Sequence, residues 1–335
     1  MTLEDEGLSI CVDSQAGGRE SVQAKKVERQ NMNSLAVILT DPEALHLRHV
    51  ALQPPGAADV VVDIEWSGIS TGTEKLLYTG RMPSFPGMGY PLVPGYESVG
   101  RIAAAGPDSG RMVGQRVFVP GSRGFSDVRG LFGGAAARLV SPGSRVVPTT
   151  LGEDAVLLAL ARTAHHAVAE HPPELIIGHG VLGRLLARIT VALGHPAPTI
   201  WEVSPDRRDG VAIAAEDDTR TDYARICDAS GDPDILDALV RRLAPQGEIT
   251  LAGFYAGRLS FAFPAAFMRE ARFRIAAEWQ PADMAGVLAL LASTRLSLAG
   301  LITHRAAAET APDAYRTAFG DAACLKMVLD WRAHA

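Results

Sequence analysis

The chain has 335 residues, 47% of them apolar and 21% charged, the balance of a globular protein with room for two ordinary domains. Lys and Arg number 32 against 38 Asp and Glu, and a net charge of -6 lacks the basic footprint of a general nucleic-acid binder. Cys11, Cys227 and Cys324 stand too far apart for a disulfide scaffold or a cysteine-built zinc site, and apolar runs such as 285–292 fall short of the roughly 20 residues that span a membrane.

Residues 1–31 are polar, without apolar periodicity or the apolar centre of a secretory signal, and read as a disordered extension. From Leu35 the pattern changes. Leu35–Leu39, Asp59–Glu65, Arg116–Pro120 and Ala137–Val140 read as short strands between Gly/Pro-rich turns, so a β-rich unit is expected over 32–150. The rhythm then alternates. Helices are expected over Glu153–Ala169, Leu182–Leu193 and Asp232–Leu243. Strands are expected at Glu174–Ile177, Thr199–Val203, Arg225–Asp228 and Glu248–Gly253. Such alternation predicts an α/β fold with a doubly wound parallel sheet over 151–298, followed by a mixed segment over 299–335.

The turn Gly178-His179-Gly180-Val181-Leu182-Gly183 is the most informative segment. It follows an apolar strand and opens a helix, the setting in which a G-x-G-x-x-G pattern binds a dinucleotide. Gly178 permits the tight turn, Gly180 lets backbone approach a pyrophosphate, and Gly183 lets the helix pack closely on the strand. His179 is expected to contribute its backbone only. Glu202, at the end of the next strand, is placed to accept hydrogen bonds from an adenosine ribose. A carboxylate there would also face the 2′-phosphate of NADP, which favours NAD as the cofactor. The neighbouring Arg207 and Arg208 read as solvated charges at a helix start.

The two-part plan resembles the medium-chain dehydrogenase/reductase superfamily over about residues 33–331. The resemblance rests on Ser67-Gly68-Ile69-Ser70, on the stretch from Val93 to Gly100, on Gly114-Gln115-Arg116-Val117, and on Leu301 to Arg305. It implies a GroES-like catalytic domain over 32–150, a Rossmann domain over 151–298, and a return of 299–335 to the first domain. It also implies a nicotinamide close to Thr163. Within the superfamily, Ser70 to Lys75 and Tyr78-Thr79-Gly80-Arg81 look most like the bacteriochlorophyllide dehydrogenases. That similarity implies NAD-dependent oxidation of the 3-(1-hydroxyethyl) group of a magnesium bacteriochlorin pigment to 3-acetyl. It also implies a cytoplasmic location, loosely tied to the photosynthetic membrane. A homodimer is expected by analogy, built through residues 272–276. Two other readings remain open: a zinc-independent quinone or enoyl reductase, and a catalytically silent cofactor-binding protein.

Zinc members of the superfamily carry ligands where this chain has Ser70, Tyr96 and Ala159, and only the adjacent Glu97 remains as a donor. No zinc is therefore expected, since one carboxylate cannot replace three ligands. Proton removal from the alcohol then falls to protein groups, and the candidates are Ser70, Thr73, Lys75, Tyr96 and Glu97. In this reading Tyr96 holds the substrate oxygen, and Lys75 or a nearby His lowers its pKa or relays its proton. Tyr96 reads equally as a packing aromatic, and Glu97 as a structural carboxylate. His165 and His166 point about 100° apart on a helix and cannot act as one two-ligand unit. The apolar loop from Gly80 to Leu92 reads either as a cover for a flat macrocycle or as a loop folded on its own domain. Arg81, Arg123 and Arg129 are available to a pigment propionate.

Overall fold

A computed structural model describes residues 32–277 and 279–334, so the expected N-terminal extension lies outside the described residues. The first part comprises β1 (Asn33–Asp41), β2 (Ala44–Ala51), β3 (Asp59–Ile69), α1 (Thr73–Tyr78), β4 (Leu92–Val93), β5 (Ser98–Ala105), β6 (Arg116–Val119), β7 (Arg129–Gly130), β8 (Arg138–Pro142) and β9 (Val147–Pro148). After a 3₁₀ turn at Glu153–Leu157 come α2 (Leu158–Val168), β10 (Leu175–Ile177), α3 (Val181–Ala192), β11 (Thr199–Trp201), α4 (Pro205–Arg208), β12 (Tyr223–Asp228), α5 (Leu236–Arg242), β13 (Leu243–Leu251), α6 (Phe263–Phe267) and β14 (Arg272–Ile275). The remainder is α7 (Pro281–Ala292), β15 (His304–Ala307), α8 (Ala311–Gly320) and β16 (Met327–Asp330).

Strands of the first part form two sheets, ordered β2-β1-β4-β7 and β15-β16-β3-β5-β6-β9, with β8 also paired to β3. The parallel sheet runs β11-β10-β12-β13-β14. An isolated parallel bridge from Trp201 to Ile213 extends it beyond β11. Strand β10, paired on both sides, shows why Leu175-Ile176-Ile177 is an unbroken apolar run. Ile176 packs in one core with α2 and α3, whereas Leu175 and Ile177 face the core under α5. A strand covered on both faces has no polar side to present. The chain leaves β10 towards β11 and later returns to β12 on β10's other side. A crevice therefore opens at the carboxyl ends of β10 and β12, where such sheets bind ligands.

The two parts share a core. Val99 and Phe118 of the first sheet system lie in the same apolar cluster as Leu157, Leu158 and Ala161 of the second. The C-terminal segment closes the structure: β16 pairs antiparallel with Trp66–Ile69 of β3 and parallel with β15. Behind it Trp331, fully buried, donates from Nε1 to Ser67 Oγ at 2.8 Å.

Several elements differ from the sequence reading: the helix expected from Glu153 begins as a 3₁₀ turn to Leu157, the strand expected over Glu248–Gly253 runs Leu243–Leu251, and that over Thr199–Val203 ends at Trp201. The helix expected over Asp232–Leu243 is shorter at both ends, spanning Leu236–Arg242. Residues 228–234 prefer side-chain turns: Ser230 N–H donates to Asp228, Asp232 N–H to Ser230 Oγ, and Asp234 N–H to Asp232. At the other end Leu243 starts β13 directly. The loop from Gly80 to Leu92 folds on its own domain, with Met82 buried and Phe85, Met88 and Tyr90 packed against the first core. Tyr90 fastens it, its hydroxyl donating to Leu77 O at 2.5 Å. Among the described residues no helix is long and apolar enough to cross a membrane.

Candidate active site

The glycine turn stands at the mouth of the β10/β12 crevice. Gly178 has φ +95°, a conformation costly for residues with a Cβ, and its N–H donates to Trp201 O at 2.8 Å. At Gly183 an added Cβ would lie 1.8 Å from Gly178 O, so only glycine lets α3 approach β10 this closely. A Cβ at Gly180, by contrast, would meet no protein atom within 4 Å. The first intrahelical bond after this turn is Arg184 N–H to Gly180 O, leaving the amides of Val181, Leu182 and Gly183 at the open end of a 12-residue helix. Open space over Gly180, unspent amides and a helix dipole together fit a pyrophosphate.

Glu202 lies 7% exposed beside this turn. Its Oε2 accepts the His179 N–H at 2.8 Å and its Oε1 accepts the Ser204 N–H at 2.9 Å, which aims the carboxylate and leaves further lone pairs for a ribose. The His179 amide, assigned to the cofactor from sequence, is therefore spent on Glu202. The His179 ring is turned into the protein, its Nδ1 2.8 Å from Arg207 O. Arg207 Nε donates to Ala322 O and Arg208 Nε to Glu202 O, so both arginines are tied to backbone. Thr163 is half-buried on α2 and donates to Ala159 O within its own helix.

The polar cluster gathers where β3, α1 and the residues before β5 meet. Ser70 Oγ and Tyr96 Oη are 2.6 Å apart, and the Tyr96 hydroxyl reaches Thr73 Oγ1 at 3.4 Å. Burial, then the negative charge of Glu97, pushes the Tyr96 phenol up. It is therefore a neutral hydrogen-bonding group rather than a tyrosinate base. Glu97 is fully buried and paired with Lys326, whose Nζ donates to Glu97 Oε2 at 2.7 Å and to Ile69 O at 3.1 Å. Gly68 makes room for this carboxylate, since a Cβ there would stand 2.3 Å from Glu97 Oε2. Below Ser70, the fully buried Glu74 accepts Ser70 N–H at 2.9 Å and the Tyr315 hydroxyl at 2.7 Å.

Lys75, expected beside Tyr96, is instead exposed and donates from Nζ to Phe319 O at 3.0 Å. The helical turn of α1 directs Glu74 inward and carries Lys75 round to the surface. The lysine within the cluster is Lys326, and no local signal marks it, because its partner lies 229 residues earlier. Arg162 was also missed: it is 4% exposed, one turn beyond Ala159 on α2. His165 and His166 share Asp283, their Nδ1 atoms 2.8 and 3.0 Å from its two oxygens. They thus clamp α2 to α7 rather than facing the Tyr96 cluster. Arg129 is tied to Tyr90 O at 3.0 Å.

The donor set does not fit a zinc ion. Ser70 and Tyr96 are bonded to each other, Ala159 has no donor atom, and Glu97 already carries an ammonium partner. Among the described residues no three His, Cys, Asp or Glu side chains come together as a metal cluster.

An antiparallel β-domain holding a buried polar cluster, joined to a parallel sheet with a dinucleotide-type turn, defines a medium-chain dehydrogenase/reductase. Residues 56–151 match the alcohol dehydrogenase GroES-like domain. The fold is shared with a short chain alcohol dehydrogenase of Escherichia coli CFT073 complexed with cofactor NADH, at a TM-score of 0.76 and 21% identity, covering 89% of this chain and 99% of that one. The 2-desacetyl-2-hydroxyethyl bacteriochlorophyllide A dehydrogenase of Cereibacter sphaeroides is 55% identical over 318 residues, 91% of this chain and 100% of that protein. Its Rhodobacter capsulatus counterpart is 53% identical over 90% of this chain and 99% of its own length. The chain belongs to this family of bacteriochlorophyllide dehydrogenases.

Proposed function

We propose that the protein oxidises the 3-(1-hydroxyethyl) group of a magnesium bacteriochlorin to 3-acetyl, with NAD as hydride acceptor and without zinc. The observation that carries this reading is the 55% identity extending over the whole C. sphaeroides dehydrogenase. Bound NAD supplies the acceptor for the hydride. Val181, Leu182 and Gly183 would hold its pyrophosphate with their amides, and Glu202 its adenosine ribose. The Glu202 carboxylate, held to the glycine turn through the His179 N–H, disfavours the extra phosphate of NADP.

The remaining task is the proton. Ser70 Oγ and Tyr96 Oη share one hydrogen bond and either can donate, so they can pass a proton without building up charge. Thr73, half-buried at the end of the chain of hydroxyls, leads that proton towards solvent. Glu74 fixes the Ser70 backbone, and the Lys326–Glu97 pair fixes the floor beneath Ile69.

The test is direct. Purified protein given NAD and the hydroxyethyl pigment should produce the red-shifted absorption of a carbonyl conjugated to the macrocycle. Faster turnover with NADPH and a quinone, or none of the pigment change with either coenzyme, would reject the reading. We further infer a homodimer through β14. This edge strand exposes Phe273 at 36% and Ile275 at 73%, and a second copy can continue the sheet there. Light scattering at the mass of one chain would reject the dimer.

A further inference from the structure

Helix α2, which shares a core cluster with Tyr96, carries a cation that nothing above uses. Ala159, Arg162 and Thr163 stand at i, i+3 and i+4 on α2 and so share one side of it. The Arg162 guanidinium is stacked over Trp279 at 3.5 Å and lies 5.4 Å from the centre of the Phe118 ring. It is 4% exposed, and its Nε and Nη1 have no hydrogen-bond partner among the described residues. A buried charged group with two unspent donors is costly unless a ligand completes it. Burial, helped by the Arg145 charge, pushes this guanidinium down to about 9, and the negative charge of Glu97 opposes that shift. It therefore keeps its charge at neutral pH and lies within electrostatic reach of the phenol.

We propose that Arg162 donates to the reacting oxygen of the substrate and stabilises the negative charge that develops there during oxidation. The inference rests on the alcohol-oxidation reading above. In that step the carbinol C–H bond breaks with its electron pair passing to the nicotinamide ring. The O–H bond breaks with its proton relayed through the Ser70, Tyr96 and Thr73 hydroxyls to solvent water, each hydroxyl giving up one proton as it gains another, and the C=O bond forms. Arg162 changes no protonation state; it supplies fixed positive charge where a metal-dependent relative would use its ion. The aromatic sandwich holds the planar group in one orientation, so little reorganisation accompanies the reaction.

The experiment combines kinetics with vibrational spectroscopy. Arg162→Ala should lower kcat about 100-fold while the NAD Kd, read by fluorescence quenching, stays within about threefold. Added guanidinium ion should restore part of the rate in Arg162→Ala and none in the wild type. Independently of turnover, resonance Raman of the bound 3-acetyl product should show a lowered C=O stretch in the wild type and a raised one in Arg162→Lys, which lacks the planar fork. Unchanged kcat in a folded variant overturns the proposal. So does a loss confined to NAD affinity, or one confined to the pigment KM and abolished by esterifying the propionate. Should neither variant fold, the wild-type spectrum decides alone, an unshifted stretch overturning the proposal. A wild type that never oxidises the pigment sinks the functional reading as well, whereas an active wild type with an unshifted stretch sinks only this one.

Discussion

Glu74 makes stability depend on pH in a way that can be worked out from the structure. Its carboxyl is fully buried, with the Ser70 N–H on one oxygen and the Tyr315 hydroxyl on the other. Burial outweighs those bonds, the Glu97 charge adds to it, and Lys326 opposes it. The result is a pKa raised from 4.5 to about 7. Since the folded value lies above the unfolded one, folding favours the protonated acid. The contribution is complete below about pH 4.5 and is lost as pH rises through about 7. A shift of that size corresponds to about 3 kcal/mol between the two limits. Glu74→Gln removes the titration while its oxygen still accepts the Ser70 N–H and its amide donates to the Tyr315 hydroxyl, which can accept. Urea unfolding of both proteins between pH 5 and 8.5, taken as a difference so that other groups cancel, should show the wild type losing about 2–3 kcal/mol relative to the variant, the remainder lying below pH 5. Parallel curves would refute the reasoning, because they would mean that the carboxyl titrates alike in both states.

Lys326→Met should destabilise by about 3–5 kcal/mol, because it strands the Glu97 charge, and adding Glu97→Gln should recover most of the loss in the same urea assay. Gly180→Ala should leave the unfolding midpoint nearly unchanged while weakening coenzyme binding, measured by calorimetry, because its Cβ enters space free of protein. Gly183→Ala should impair folding itself, with a lowered Tm, since its Cβ collides with Gly178 O. Tyr96→Phe should lower pigment kcat by about 100-fold in stopped-flow absorbance, in keeping with the loss of a proton-transfer group. Glu202→Gln should raise kcat/KM with NADP relative to NAD by about tenfold in steady-state assays.

Local features were legible from the sequence, and contacts between distant residues were not. The strand cores at Leu35–Leu39 and Arg116–Pro120 lie within or overlap observed strands, because turn residues bracket them. The glycine turn was readable because strand, turn and helix are consecutive. Ser70, Thr73 and Tyr96 do come together, as a pattern shared with related chains led one to expect. Lys75 failed because a one-residue difference on a short helix decides inside from outside. Lys326 could not be found, since a lone lysine in an apolar strand region gives no hint of a carboxylate 229 residues away. Nothing in the sequence singles out Arg162; only the aromatic rings of Phe118 on β6 and Trp279 in the segment before α7 reveal its setting.

The late arrival of β16 bears on how the protein is made. During synthesis, Glu97 emerges 229 residues before the lysine that neutralises it, and Trp66–Ile69 of β3 wait longer still for their outer neighbour, residues 327–330. Throughout that interval the nascent domain presents a bare strand edge next to an unbalanced acid, a combination that invites mispairing on crowded polysomes. Truncation before residue 327 should therefore leave that edge open for good and make the chain aggregate.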